Sequence, residues 1–364
     1  MKIKRFAALL LAGVLCASAL TGCALNKNET IATLGDEKIT LGVANFMCRY
    51  QQAQMEDALT QYVGEDPWSQ DLYGSGSSMQ ETTKSQVMET LQEMYTLQLH
   101  MDDYDVEISD DEKKEITDTA SSFMENNSED TLKEMGATQE IVEEMLTLYT
   151  IKNKMYDAII ADVDTNVTDE EANMRAYSMV QVAIDGSYDS SYNFTAYTED
   201  QVAELKDNAQ KMADAVTQPS ELEAAAEANG FSVTNGTYDA DDSTLDETVK
   251  TTLDGLKEGE VSGLITTDKA LYMVRLDKEH DEEATEKNKT TILQDRKDTL
   301  YNDTLSDWEK DTEWKVKDKV LAKIEFKNHL TQTTESTEEE TSTESGVTET
   351  IDGTETIDGT ESTN

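Results

Sequence analysis

Proline is almost absent: Pro67 and Pro219 are the only two in 364 residues. A proline inside a helix removes an amide donor and clashes with the preceding turn, so this chain is free to form long helices. The apolar spacing uses that freedom. Thr40 can cap a helix running to about Val63, with Phe46, Tyr50 and Ala53 on one face. Just before it, Ile31 to Ile39 reads as a small hairpin around Gly35-Asp36. A loop with Gly64, Pro67, Gly74 and Gly76 leads to a helix over about Ser78–Tyr104, carrying Val87, Leu91, Met94 and Leu97. Another spans about Gln139–Ala161, with Ile141, Met145, Leu148, Met155 and Ile159 at helical spacing. Ser109 to Glu112 and Thr168 to Glu171 have the spacing of capping boxes and predict two helix starts. Residues 31–165 therefore form a mostly helical module.

The pattern changes near residue 178. Met179–Ile184 reads as a strand, followed by a Tyr/Ser-rich loop and a helix opened by Thr198, with Val202, Leu205, Met212 and Val216. Ser220 is placed to cap a shorter helix that Gly230 ends. A helical stretch over Leu245–Leu256 and a strand over Leu271–Leu276 complete a small α+β domain, 172–280. A long charged helix is expected from about Glu282 to Asp311. Its sparse stripe of Ile292, Leu300, Leu305 and Trp308 needs cover, which predicts that it returns to the 31–165 module; the returning segment extends to about residue 328.

Both ends read differently. Lys2, Lys4 and Arg5 precede an uncharged apolar run, Phe6–Leu20, too short to span a bilayer as a mature helix and patterned as a secretory leader. It closes on Leu20-Thr21-Gly22-Cys23, which resembles the bacterial lipobox. That resemblance implies acylation of Cys23, cleavage before it (leader 1–22, tether 23–30), and attachment to the outer face of the cell membrane; the alternative is an ordinary cleaved leader with a chance cysteine. Cys48 is then the one free thiol of the mature chain, so no internal disulfide framework is possible. It falls on an apolar helix face with no histidine near it, as a buried structural thiol would. Residues 331–364 are a Thr/Ser/Glu tract with ten acidic and no basic residues, too poor in apolar groups to fold: a solvated spacer, or an acidic recruitment tail. At a net charge of −47 a phosphate-neutralising basic face is not expected, and neither is nucleic acid as a partner.

Leu256-Lys257-Glu258-Gly259-Glu260-Val261-Ser262-Gly263, then Thr267 and Ala270 to Leu276, resembles the end of a parvulin-type rotamase domain. The Ser220–Gly230 helix is similar to that family's second helix, and residues 31–50 resemble the start of the SurA/PrsA chaperone module. The resemblance implies an α+β protein: a mostly helical chaperone module, an inserted parvulin-like domain and a returning C-terminal helix. It also implies peptidyl-prolyl isomerase activity and a role with unfolded or partly folded secreted polypeptides, without cofactor or metal.

The departures bear on chemistry. Parvulins carry a histidine on the first strand and another on the last; these positions map to Gln181 and Tyr272. His100 and His280 are consecutive histidines, so the conclusion survives a slip in register. The family's Gly-rich turn is reduced to Asn235-Gly236-Thr237-Tyr238. Its Met and Phe, which shape the proline pocket, fall at Leu245 and Val249. Rotation about an X–Pro bond crosses a barrier of about 20 kcal/mol and takes about 10–100 s uncatalysed. Catalysis needs no nucleophile or metal, only a pocket for the ring and a polar array favouring the twisted amide. Without the histidines and with Val249 as a shallower wall, the domain is expected to be weakly active or inactive. Scattered histidines give no metal spacing, and Asp239, Asp241 and Asp242 lack the loop spacing of a calcium site. The leading reading is a membrane-anchored extracytoplasmic foldase acting as a chaperone. An active isomerase and a solute-binding lipoprotein are the alternatives, and the helix-first order disfavours the second.

Overall fold

The computed structural model describes residues 14–16 and 25–332, with side chains from 25 to 330. Cys23, most of the segment read as a leader and residues 333–364 of the acidic tract lie outside the described residues. Strand β1 (Val14–Cys16) falls within the segment read as a leader and pairs antiparallel with Leu330–Gln332. Strands β2 (Thr30–Leu34) and β3 (Glu37–Thr40) form the expected hairpin, turned at Gly35, whose φ of +58° favours glycine.

Five helices follow: α1 (Leu41–Val63), α2 (Met79–Leu99), α3 (Asp110–Asn126), α4 (Glu129–Met135) and α5 (Gln139–Ile159). Their starts are written in the sequence. The Val43 amide donates to Thr40 Oγ1 (3.4 Å), and Ser78–Glu81 and Ser109–Glu112 form reciprocal capping boxes. The second helix stops at Leu99, short of the expected Tyr104: Asp102–Tyr104 is a 3₁₀ turn beyond it. At Thr168 the local bonds form, with the Glu171 amide 3.2 Å from Oγ1, yet no helix follows. Strand β4 begins at Arg175, leaving room for a single turn.

The second unit is a four-stranded antiparallel sheet in the order β7-β4-β9-β8, made of β4 (Arg175–Ala183), β7 (Val233–Tyr238), β8 (Ile265–Thr266) and β9 (Ala270–Lys278). The expected Tyr/Ser-rich loop after β4 is a hairpin, β5 (Gly186–Tyr188) and β6 (Phe194–Ala196). Helices α6 (Glu199–Ala215), α7 (Leu222–Ala228) and α8 (Glu247–Gly255) complete the unit. Ser220 does not cap α7. Pro219–Glu221 is a 3₁₀ turn leading into it, and Gln218 and Glu221 share the capping contacts.

Helix α9 (Glu282–Asp311) leaves the sheet and lies against α2 and α5, where Tyr301, Leu300, Leu305 and Trp308 join Leu97, Ile151, Met155 and Ile159. Its first turn stays tied to the sheet unit: the Met174 amide donates to Thr285 Oγ1 (3.1 Å). The chain then adds β10 (Trp314–Val316) as a third strand beside β2, the short helix α10 (Asp318–Leu321) and β11 (Leu330–Gln332). Val320, Ile324, Phe326 and Leu330 complete the core built on Phe46, Leu91, Phe123 and Val142. Strand β11 thus takes in the first two residues of the tract read as tail.

A buried polar network fastens this last segment. Arg49, almost fully buried, donates to Glu134 Oε1 (2.7 Å), to the carbonyls of Glu325 (3.1 Å) and Asn328 (3.2 Å), and to Gln52. Gln52 and Trp68 both donate to buried Glu56 (2.6 and 2.9 Å), whose other oxygen lies 2.6 Å from His329 Nδ1. A buried charge is tolerable only when paired and hydrogen-bonded, and here the partners come from both ends of the chain.

Candidate functional sites in the sheet unit and the helical module

Alternation along β4 and β9 divides the sheet into two faces. Val180, Val182, Leu271 and Met273 face α6 and α7, against Ala209, Met212, Leu222 and Ala226. Tyr177, Met179, Tyr272, Val274 and Leu276 belong to the opposite face, with Val249 and Leu253 of α8 and with Leu245, Ile265 and Tyr238. The second face gathers the residues singled out from sequence. Gln181 and Tyr272 are direct cross-strand partners between β4 and β9, and Tyr272 also pairs with Ile265 of β8. Gln181 is exposed, Tyr272 and Leu245 are half-buried, and Val249 is buried.

The aromatic bulk absent at Val249 is present elsewhere. Tyr238, at the end of β7, is fully buried in the same cluster, its ring edge-on to Tyr177 at 5.9 Å and its hydroxyl donating to Asp254 (3.1 Å). Arg175 lies over that ring at 5.5 Å and pairs with Asp254 at 2.9 Å. The expected remnant turn, Asn235 to Tyr238, is therefore not a turn: it is strand, with Gly236 opposite Tyr177. A Cβ at Gly236 would come within 2.6 Å of the Tyr177 ring, so the glycine is needed for close approach.

Electrostatics limit the chemistry of this face. Burial, together with Asp246 and Asp185, pushes the Tyr272 phenol above its ordinary range; burial and Asp242 do the same for Tyr177. Both phenols stay protonated at neutral pH and can donate hydrogen bonds. Asp242 is a turn residue: its carboxylate accepts from the Thr244 amide (2.6 Å), the Thr244 hydroxyl (2.7 Å) and the Leu245 amide (3.2 Å). Asp239 likewise accepts from the Asp241 amide (3.0 Å). Among the described residues no group of three His, Cys, Asp or Glu side chains is arranged to hold a metal ion. The face can hold an extended chain by apolar contact and by donors from Tyr272 and Gln181. It presents no imidazole.

A second candidate lies in the helical module. Helices α1, α2 and α5 leave between them a cavity of about 360 Å³, lined chiefly by Met47, Tyr50, Met55, Val87, Met145 and Tyr149. Burial pushes the Tyr50 phenol up to about 12, so it too is neutral. Of the methionines in this module, Met79, Met88, Met94, Met135 and Met155 are core residues, whereas Met55 is half-buried at the cavity. Cys48 is buried beside this region and burial pushes its thiol up to about 12.

Residues 188–288 match the sequence profile of the PPIC-type PPIASE domain. The parvulin-type resemblance read from Leu256–Leu276 is borne out by this match, which covers Leu245, Val249 and Tyr272 and begins after β4. Among solved structures, the chain is similar to foldase protein PrsA from Streptococcus pneumoniae, with 18% identity over 68% of this chain and 96% of that one, at a TM-score of 0.27. It is similar to foldase protein PrsA from Lactococcus lactis, with 14% identity over 81% and 97% and a TM-score of 0.32. A third similarity is to a SurA-like chaperone of Campylobacter jejuni, with 10% identity over 80% and 100% and a TM-score of 0.27. The comparison with curated proteins found no match.

Proposed function

We propose that this chain is an extracytoplasmic foldase, held at the membrane through a lipid on Cys23, that works chiefly as a chaperone for unfolded or partly folded secreted polypeptides. The reading is carried by the parvulin-type match over residues 188–288 together with the cross-strand pair Gln181 and Tyr272, the positions that the resemblance maps to the family's histidines and that carry no imidazole. Such a domain retains a peptide-binding face and lacks the family's inner hydrogen-bond array. Client holding then falls to the cavity among α1, α2 and α5. Its size lies within the range of ligand pockets, and methionine's flexible thioether accommodates varied side chains.

The proposed division follows from this reading: a leader over 1–22, a tether over 23–30, the chaperone module over 31–165, the parvulin-like domain over 172–280, the returning segment over 281–328 and a solvated tail over 331–364. The strong negative charge favours encounter with cationic clients, an effect that salt weakens. The test is a proline-isomerisation assay on the full chain. The expected rate is near the uncatalysed one; a rate like that of complete parvulins would replace this reading with that of an active isomerase.

A further inference from the structure

The β5–β6 hairpin carries three large aromatic residues that no core uses. Tyr188, Tyr192 and Phe194 are 69%, 87% and 48% exposed. Folding hides most such rings, so a cluster left in water marks a contact surface. Tyr188 and Phe194 are cross-strand partners with ring centroids 5.2 Å apart. Phe194 lies over Gly186, where a Cβ would come within 2.5 Å of the ring. The loop between the strands is held by Asp189, whose carboxylate accepts from the amides of Ser191 and Asn193 (2.9 Å each) and from the Asn193 side chain (3.1 Å). The rings are thus presented on a built turn, and little ordering remains to oppose binding.

The charge around the hairpin selects the partner. Asp185 and Asp189 flank the rings, and no lysine or arginine occurs from Asp185 to Asp200. A second copy of this chain, at −47, would be repelled. The hairpin follows directly on the β4–β9 pair: the Tyr197 amide closes its base on the Asp185 carbonyl (3.2 Å), the Ile184 amide donates to the Lys269 carbonyl (2.8 Å), and the charge of Asp185 is felt at Tyr272. An arginine guanidinium stacks on aromatic faces and pairs with carboxylates, so it suits both features together.

We propose that the β5–β6 hairpin is a docking site for arginine-bearing segments of unfolded polypeptides, with Tyr188, Tyr192 and Phe194 as the stacking surface and Asp185 and Asp189 as the anions. This deepens the foldase reading by giving the chemistry of the client, and it rests on that reading only for the client's biological source. The probe is a fluorescent, unstructured Gly/Ser peptide carrying several arginines, titrated into the full chain and followed by anisotropy. Counterparts carry norleucine or glutamate instead. The expected order is arginine well above norleucine, with no binding of glutamate. The double variant Tyr188→Ser/Tyr192→Ser alters only exposed rings and should keep the wild-type circular dichroism. It should weaken the arginine peptide about tenfold, or about 1.4 kcal/mol, and Asp185→Asn should flatten the salt dependence.

Unchanged affinity in the double variant, or norleucine binding as tightly as arginine, overturns the proposal. So does sedimentation showing a dimer of the full chain that the double variant abolishes, since the rings would then serve self-association. Failure of the full chain to protect unfolded clients, with hairpin-dependent arginine binding intact, would remove the foldase reading and leave the site standing.

Discussion

Arg49→Met isolates the buried charge that fastens the C-terminal segment to α1. Methionine keeps much of the apolar stem and removes the guanidinium. Glu134 then loses its ion-pair partner, and the carbonyls of Glu325 and Asn328 lose a donor. Removing one partner of a buried pair costs about 3–5 kcal/mol. Glu134 is 21% exposed and can be partly rehydrated, so the lower end applies, about 3 kcal/mol. For a cooperative unit of roughly 150–250 residues, each kcal/mol lowers Tm by about 2–4 °C, giving a fall of about 6–12 °C. The assay is thermal unfolding by far-UV circular dichroism, with hydrogen exchange as a local readout. Amides of residues 320–330 should lose protection before those of the β4–β9 sheet. A Tm lowered by less than about 2 °C, with protection of 320–330 unchanged, would refute the reasoning that this network joins the two ends of the chain.

Three further outcomes follow from the geometry. Cys48, buried and with its thiol pushed up to about 12, should resist thiol reagents in the native protein at mildly alkaline pH and react fully only on unfolding; fast native labelling would contradict its burial. The hydrogen bond from Arg275 holds the Glu223 carboxyl below its ordinary range, so its contribution is present above the usual glutamate range and lost as pH falls through the lowered value. Glu223 is about half exposed, so Glu223→Gln should cost no more than about 1 kcal/mol at neutral pH and nothing in strong acid; a penalty that persists in acid would point to packing instead of charge. Under the proposed anchoring, intact-mass analysis should find an acylated N-terminus at Cys23, and Cys23→Ala should abolish it; a mature start elsewhere would sink that assignment.

Much of the architecture was legible because it is local. Thr40, Ser78 and Ser109 announce helix starts through hydrogen bonds made within a few residues, and the stripe of Leu300, Leu305 and Trp308 announces that α9 needs a partner. Thr168 marks the limit of such signals: its capping bonds form, and the entry into β4 ends the turn. Ser220 falls inside the 3₁₀ turn Pro219–Glu221 that leads into α7, so it is not placed to cap that helix. What was hidden is long-range. Nothing in the segment around Phe326 and Leu330 tells that it completes a core begun at Ile31, or that Arg49 awaits carbonyls some 280 residues later. At the parvulin-like face, the strand pattern places Gln181 and Tyr272 opposite each other on β4 and β9, whereas Leu245 and Val249, before and on α8, are legible only through the family resemblance. Tyr238 was missed because its strand was read as a turn, and the β5–β6 hairpin because its tyrosines and serines read as a loop.

Under the proposed function, client holding resides in the helical module and not in rotamase chemistry. The most direct measurement is suppression of aggregation of an unfolded secreted protein by the full chain, by Met55→Glu and by Gln181→Ala/Tyr272→Ala. Met55→Glu places a carboxylate in the lining of the cavity among α1, α2 and α5, and with the fold intact by circular dichroism it should lose most of the protection. The paired variant at the parvulin-like face should protect nearly as well as the wild type. The reverse pattern, with protection surviving Met55→Glu and lost on changing Gln181 and Tyr272, would place client holding at the sheet face instead.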